Sequence, residues 1–450
     1  MADYYVDATG GNDADTGLVG HAWQTLEKVN TELDNGTFSA GDNIYFKRGE
    51  TWTVTDYDDN LYLRNVTGSS GNLITFGAYD TGDDPVFDAS DNGVNIVYSL
   101  ESDPATYFKI ENIEMKDSAA VAVWLRGAEN FTLSNLTIHG MSDPGGGASG
   151  AAIYFNHDTQ TWTIEDCTLY DLHGEGAYLG TNSGSDRTGY GTIKDCDIYN
   201  CGREAVDLKP GSRNVTIQDC TMWKTTTDED NGVIIVGGSG HVIQRNSLEW
   251  SQPGLYPHAG INLNYNAVTG EAADNITIEY NHIAHCGYGI RAWGSASQDI
   301  DTVTIRYNDI VSCDEAIRLE YVTGITIEYN DLNCCDYGIR SNSGAVPGTD
   351  WDADYNYYGN NLGADLYLTG YGGSQSFATL RLARHRVQRH ARHLGPVGYL
   401  QKRCQPARPV ADGGDQRQPG RRFWRGQHAD RQQHGGQLGR QPGGQPVGRL

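Results

Sequence analysis

The sequence predicts an all-β solenoid, a coil of short parallel strands entered through a small cap. Three observations predict it. Gly at 57 residues and Tyr at 27, beside 4 Met and 13 Pro, fit many short strands joined by turns. One eight-residue pattern recurs nine times. A second pattern recurs between its copies.

The cap comes first, over residues 1–52. Tyr4-Tyr5-Val6 reads as a short strand followed by a Gly, Asn and Asp turn cluster. Ala22–Leu33 then carries Leu26, Val29 and Leu33 at helical spacing, which predicts a helix of about three turns covering the first coil.

The solenoid is expected over residues 53–380. From Phe108 the chain reads FKIENIEM, FTLSNLTI, WTIEDCTL, GTIKDCDI, VTIQDCTM, HVIQRNSL, ITIEYNHI, VTIRYNDI and ITIEYNDL. Successive copies are 23, 31, 29, 24, 26, 35, 27 and 22 residues apart. A period in the low twenties with variable insertions marks stacked coils whose loops differ in length. Within the pattern one column runs Ile113, Leu136, Cys167, Cys196, Cys220, Asn246, Asn281, Asn308, Asn330. At a strand spacing of about 4.8 Å this is a cysteine ladder that hands over to an asparagine ladder. It accounts for most of the cysteines without disulfides or metal.

The second pattern includes SGAAIYFN, GEGAYLGT, REAVDLKP, DNGVIIVG, HAGINLN, GYGIRAW, DEAIRLE and DYGIRSN. A Gly or Ala precedes an inward apolar residue, so the residue after that points outward. The expected outward columns are Tyr154, Tyr178, Asp207, Ile234, Asn262, Arg291, Arg318, Arg340, and, two residues on, Asn156, Gly180, Lys209, Val236, Asn264, Trp293, Glu320, Asn342. Loops 139–150, 224–231 and 249–258 precede this strand and are expected to wall a groove above it.

Residues 381–450 are written differently. They contain no Ile, Asn, Thr, Ser, Glu or Met, and are rich in Arg, Gln, His, Gly and Pro. A disordered basic tail or a nucleic-acid arm would explain such a composition, but a frameshift explains it better. Codons for Gly-Asn-Asn-Thr read one base off give Arg-Gln-Gln-His, the string at Arg431–His434. The same shift turns Gly-Asn-Pro-Ala-Ala-Asn-Pro into the string at Arg440–Pro446.

Charge narrows the partners. The net of -25 conceals an asymmetry: the last 70 residues hold 15 Lys and Arg against three acids, leaving residues 1–380 with 18 bases against 55 acids, a net of -37. So acidic a body repels nucleic acid and anionic membranes. An acidic polymer would need a local basic groove or bridging cations. No run of about 18 apolar residues suggests a membrane span, and Met1-Ala2-Asp3 leads into structure without a secretory signal. An extracellular protein whose export signal has been removed, or a phage virion component, is the expectation.

With these repeats the chain resembles the right-handed parallel β-helix proteins of the pectate-lyase superfamily. The same solenoid serves lyases, hydrolases, epimerases, tailspikes and adhesins. One local match is finer: Glu204 and Lys209, five apart, are similar to a motif of the alginate lyase and chondroitinase B family, in which the Glu binds calcium and the Lys is the Brønsted base. That family's Arg-His pair on the next coil is replaced here by Ile235-Val236-Gly237-Gly238. Asp207 stands where pectate lyases place a calcium-binding Asp, but the second Asp of that pattern is Arg203.

Elimination on a uronic acid polymer requires removal of the C5 proton while the adjacent carboxylate is neutralised. A hard, oxygen-bound cation does this, and neighbouring carboxylates hold it. Glu175, Glu204 and Asp207 are the candidate calcium ligands; Arg203 and Arg213 are the alternative that would make the cluster only a salt-bridge network. Lys209 is the candidate base and needs a depressed pKa, with Arg213 as the positive neighbour. Tyr178 and His258 are further acids or bases. Tyr154, Asn262, Arg291, Trp293, Arg318 and Arg340 are candidate substrate contacts, although pairing with Glu315 and Glu320 would also explain the arginines. The expected activity is a calcium-assisted polysaccharide lyase. The alternative is a non-catalytic glycan-binding solenoid of a phage tail or cell surface, oligomeric if phage-derived.

Overall fold

Strand follows strand at nearly constant intervals because each coil buries a row of apolar side chains, such as Ile164, Leu169, Leu172 and Leu179, that are covered by the coils before and after it. In the computed structural model these strands form three sheets of 12, 13 and 12 strands, parallel throughout except for Glu271–Ala272, which pairs antiparallel with Ala259–Asn266. The structure describes residues 1–142, 150–183, 185–224, 232–250, 258–266, 271–295, 297–341, 353, 355–359, 361 and 364–368. The three predicted wall loops fall wholly or partly outside these residues, as do Asn342, the acidic loop Asp228–Asp230 and the segment 381–450.

The recurring FKIENIEM-type pattern supplies the first sheet, and its last residues supply the second. Ile110, Leu133, Ile164, Ile193, Ile217, Ile243, Ile278, Ile305 and Ile327 fill the core. Between these sheets the chain turns through a left-handed residue at every coil, from Asn112 to Tyr329, with φ between 51 and 58°. The next residue belongs to the ladder. Cys167, Cys196 and Cys220 are buried free thiols. From Asn246 onward each amide Nδ2 donates to the Oδ1 of the next coil's Asn: Asn246 to Asn281 at 3.0 Å, Asn281 to Asn308 at 3.0 Å and Asn308 to Asn330 at 2.9 Å. The same Oδ1 atoms also accept the backbone N–H of the preceding coil's Asn. The ladder therefore satisfies the buried polar groups that the tight turn would otherwise orphan. Cys286, Cys313 and Cys335 are three more buried free thiols, outside the column read from the repeat.

The cap contains a shorter helix than its periodicity predicts. The helix is Leu26–Asp34, because Thr25 Oγ1 accepts the Lys28 N–H and caps it there. Ala22 to Gln24 run extended instead, with Trp23 bridged to Val6. Asp3–Val6 pairs with Asn43–Lys47 at the start of the first sheet, and Thr51–Thr53 opens the second.

The third, 13-stranded sheet carries the outward columns, and it corrects one register. Val206 pairs with Ile234 and Asp207 with Ile235, so Ile235, not Ile234, follows Asp207. Gly232 suggested an alignment with Ala205, but Ala205 N donates to Val233 O. A one-residue slip exchanges the two faces of a strand. Ile234 and Val236 are accordingly core residues with no exposed surface, and the residue beyond Lys209 on the next coil is Gly237.

Candidate functional site

One column on the outer face of the third sheet organises the site. Tyr62, Tyr98, Trp124, Tyr154 and Tyr178 occupy equivalent positions on five successive strands. Asp207, Ile235 and Asn262 continue the column, and Arg291, Arg318 and Arg340 extend it. It is aromatic at one end, acidic in the middle and cationic at the other. Trp124 stacks on Tyr154 with ring centroids 5.3 Å apart, and Tyr154 meets Tyr178 edge-on at 4.7 Å. The repeat pattern begins to be recognisable only at SGAAIYFN, so Tyr62, Tyr98 and Trp124 are missed from sequence; their signal is the alternation in NLYLR, NIVYSL and AVAVWLR.

The structure brings Glu175, Glu204 and Asp207 together. One carboxylate oxygen from each lies within 4.8 Å of the others, and all three residues are buried. Register explains this: Ala177 pairs with Val206, which sets Glu175 and Glu204 side by side, and Asp207 lies one residue past Val206 on the same strand. Gly202 permits the close approach of this coil, since a Cβ there would lie 2.1 Å from the His173 carbonyl oxygen. Arg203 donates to Glu175 Oε1 at 3.2 Å. Among the described residues nothing donates to Glu175 Oε2, a buried acceptor. Burial and the neighbouring Asp207 charge push the Glu175 carboxyl above its ordinary value. Three hard oxygen donors at this separation, one of them an unused buried acceptor, fit a calcium ion.

Lys209 closes the other side of the cluster, with Nζ 2.5 Å from Asp207 Oδ2 and 4.5 Å from the Tyr178 ring centroid. Burial alone would lower its pKa, but Asp207, Tyr178 and Glu204 outweigh burial and hold the ammonium well above its usual value. This is opposite to the depressed pKa that a base requires. Burial also raises the Tyr178 phenol, so it keeps its proton. The Arg213 guanidinium donates to the Pro210 and Ser212 carbonyl oxygens at 2.5 and 2.7 Å, bracing the turn after Lys209. Beneath that turn His241 is wholly buried, with Val215 N–H donating to its Nδ1 and its Nε2 3.2 Å from Ser212 Oγ. Ser212 Oγ in turn donates to Lys209 O at 2.6 Å.

His258 precedes the strand Ala259–Asn266, two strands past Asp207, and stacks on Trp250 at 4.3 Å. Lys224, missed from sequence, is 2% exposed, with Nζ 4.8 Å from the Trp250 ring centroid. The buried Cys201 thiol, pushed up to about 12, feels Lys224, Glu175 and Glu204 together.

At the cationic end the arginines divide. Arg318 Nη1 donates to Glu315 Oε2 at 2.9 Å and its Nε to Glu320 Oε1 at 3.1 Å, while Arg340 Nη1 donates to Glu315 Oε1 at 2.6 Å. Arg291 instead lies against Trp293 and Tyr288, its Cζ 3.8 and 5.2 Å from their ring centroids.

A family model for the right handed beta helix region matches residues 83–248, 151–300 and 211–373. No curated protein matches the sequence. Among solved structures, the chain is similar to a lacto-N-biosidase of glycoside hydrolase family 136 from Eubacterium ramulus, at 16% identity over 82% of this chain and 68% of the other, with a TM-score of 0.51. It is also similar to the catalytic domain of a family 87 α-1,3-glucanase in complex with tetrasaccharides, at 14% identity over 78% and 67% of the two chains, with a TM-score of 0.53. An alginate lyase from Paenibacillus is matched at 14% identity over 77% and 96%, with a TM-score of 0.43. At such identities the likeness is one of fold.

Proposed function

The chain belongs to the right-handed β-helix family, and from that premise we propose that it is a carbohydrate-active enzyme, a calcium-assisted lyase cleaving an acidic polysaccharide by β-elimination. The observation that carries this reading is the convergence of Glu175, Glu204 and Asp207 within 4.8 Å beside Lys209 and Tyr178. The solved structures it resembles include a lacto-N-biosidase and an α-1,3-glucanase with bound tetrasaccharides, which fits a glycan partner.

Calcium held by Glu175, Glu204 and Asp207 would neutralise the uronate carboxylate and so acidify its C5 proton. Lys209 is the group placed to take that proton. Its ammonium is held protonated chiefly by Asp207, so a cation held by the Asp207 carboxylate would weaken that hold and favour the base form of Lys209. The C5–H electron pair becomes the C4–C5 double bond, and the C4–O bond breaks. Tyr178, whose phenol keeps its proton, supplies that proton to the leaving oxygen. Arg213 holds the turn that aims Lys209. His258 is left as an outer acid or base beside the groove. Tyr154 and Trp124 offer ring faces for sugars on the aromatic side.

A polymer substrate implies an extracellular protein, or a virion component. A non-catalytic glycan-binding solenoid is the second reading, favoured by Ile235 and Gly237 standing where an Arg-His pair would complete the chemistry. Incubation with alginate, pectate and glycosaminoglycans, with calcium or with chelator, separates the two. The lyase reading expects a calcium-dependent rise in the ultraviolet absorbance of the unsaturated product; no rise on any polymer would overturn it.

A further inference from the structure

Arg291 is 6% exposed, and among the described residues its buried Nε and Nη1 have no acceptor. On the preceding strand its register partner Asn262 has no exposed surface, and among the described residues neither its Oδ1 nor its Nδ2 has a hydrogen-bond partner. Two adjacent side chains thus leave four buried polar atoms unsatisfied. An orphaned buried polar atom is costly, and an unpaired buried charge more so. Structural pairing does not remove the cost, because Glu315 and Glu320, the acids nearest in the column, already hold Arg318 and Arg340. Burial depresses the Arg291 pKa, and the Tyr288, Glu320 and Glu315 groups offset it only in part.

We infer that Asn262 and Arg291 form a subsite for a sugar-borne oxyanion, a uronate carboxylate or a sulfate ester, with Trp293 packed beside the sugar ring. The inference rests on the proposal that this sheet face binds an acidic glycan, and it specifies where the second charge is read. Arg291 lies three strands from Asp207, about 14 Å along the axis at the usual strand spacing. The glycan therefore runs along the solenoid, with one anionic group at the acid cluster and another at Arg291. Asn262 Nδ2 donates to the same oxyanion and its Oδ1 accepts from a sugar hydroxyl. Trp293, 37% exposed, offers an accessible ring.

Calorimetric titration of the full chain in chelator tests this separately from catalysis. The probes are a defined oligouronate, a sulfated oligosaccharide of equal length, and the oligouronate with its carboxylates reduced to alcohols. The expected result is binding of an anionic probe at least tenfold tighter than the neutral one, with the tighter of the two anionic arms identifying the oxyanion. Arg291→Gln and Asn262→Asp, each checked for a native circular dichroism spectrum, should remove that preference. Equal affinity for the reduced and charged probes, no binding of any probe, or wild-type selectivity in folded Arg291→Gln would overturn the inference. Anion-selective binding without elimination would refute only the lyase reading. Elimination with unaltered selectivity in Arg291→Gln would refute only the subsite.

Discussion

Replacing Glu175 by Gln should stabilise the calcium-free protein, the reverse of what removing most buried, ion-paired carboxylates does. The three carboxylates approach within 4.8 Å, where two unit charges repel by about 3–4 kcal/mol at an effective dielectric of 20. Against this, Glu175 has Arg203, which is 48% exposed, and such half-exposed pairs contribute about 1 kcal/mol or less. Gln keeps the shape and an acceptor for Arg203 while removing the charge. The net gain is about 2 kcal/mol, or about 2 °C in Tm for a chain this long. The pH dependence has a definite sign. Because the folded-state carboxyl is raised, the native state holds this proton at pH values where the unfolded chain has lost it. Stability therefore falls as pH climbs upward from the ordinary Glu range, and Glu175→Gln abolishes that fall. Calcium at 100 times its Kd should add about 2.7 kcal/mol to the wild type and much less to the variant. Thermal unfolding followed by circular dichroism, in chelator and then in calcium, measures both effects. A variant that melts below wild type in chelator would show that repulsion does not dominate the cluster, and an unchanged calcium shift would remove Glu175 from the ligand set.

Lys209→Arg, which keeps the charge but cannot serve as base near neutral pH, should lower kcat for elimination by about 10² or more with little change in KM; single-turnover product formation reads this. Arg213→Ala should act on stability rather than on KM, through the Pro210 and Ser212 carbonyls it braces, and equilibrium denaturation would detect it. Asn281→Ala strands Ile243 O and the Asn246 N–H in the core and takes one of two acceptors from Asn246 Nδ2; at about 1–3 kcal/mol per orphaned group, a loss of about 2 kcal/mol or more is expected in chemical unfolding. His241 is held neutral by burial, its pKa pushed down to about 3. Its contribution is complete above the unfolded value near 6.5 and is lost as pH falls toward 3, so a His241→Gln variant that folds should show a flatter stability profile between these limits.

The solenoid was legible because its signals are local and repeated. A turn needing a left-handed residue followed by a Cys or Asn recurs at each coil from Asp166 to Tyr329, and the inward Ile three residues earlier follows from strand alternation alone. The trio was legible for the same reason, since Glu175 and Glu204 occupy the same place in successive repeats. What could not be read was everything that depends on one coil's registration against the next. The slip at Gly232 exchanged Ile234 for Ile235, because nothing within that strand records which neighbour its backbone meets. Whether an arginine is spoken for is likewise a question of three strands at once: Arg318 and Arg340 share Glu315 across coils, while Arg291, with the same local sequence context, is left unpaired. The charge state of Lys209 also follows from packing, since burial and the Asp207 carboxylate pull its pKa in opposite directions and only their geometry decides which prevails. The sequence by itself determined the coil, its ladders and the column on which the charges stand; the tertiary structure decided which of those charges neutralise each other and which remain for a ligand.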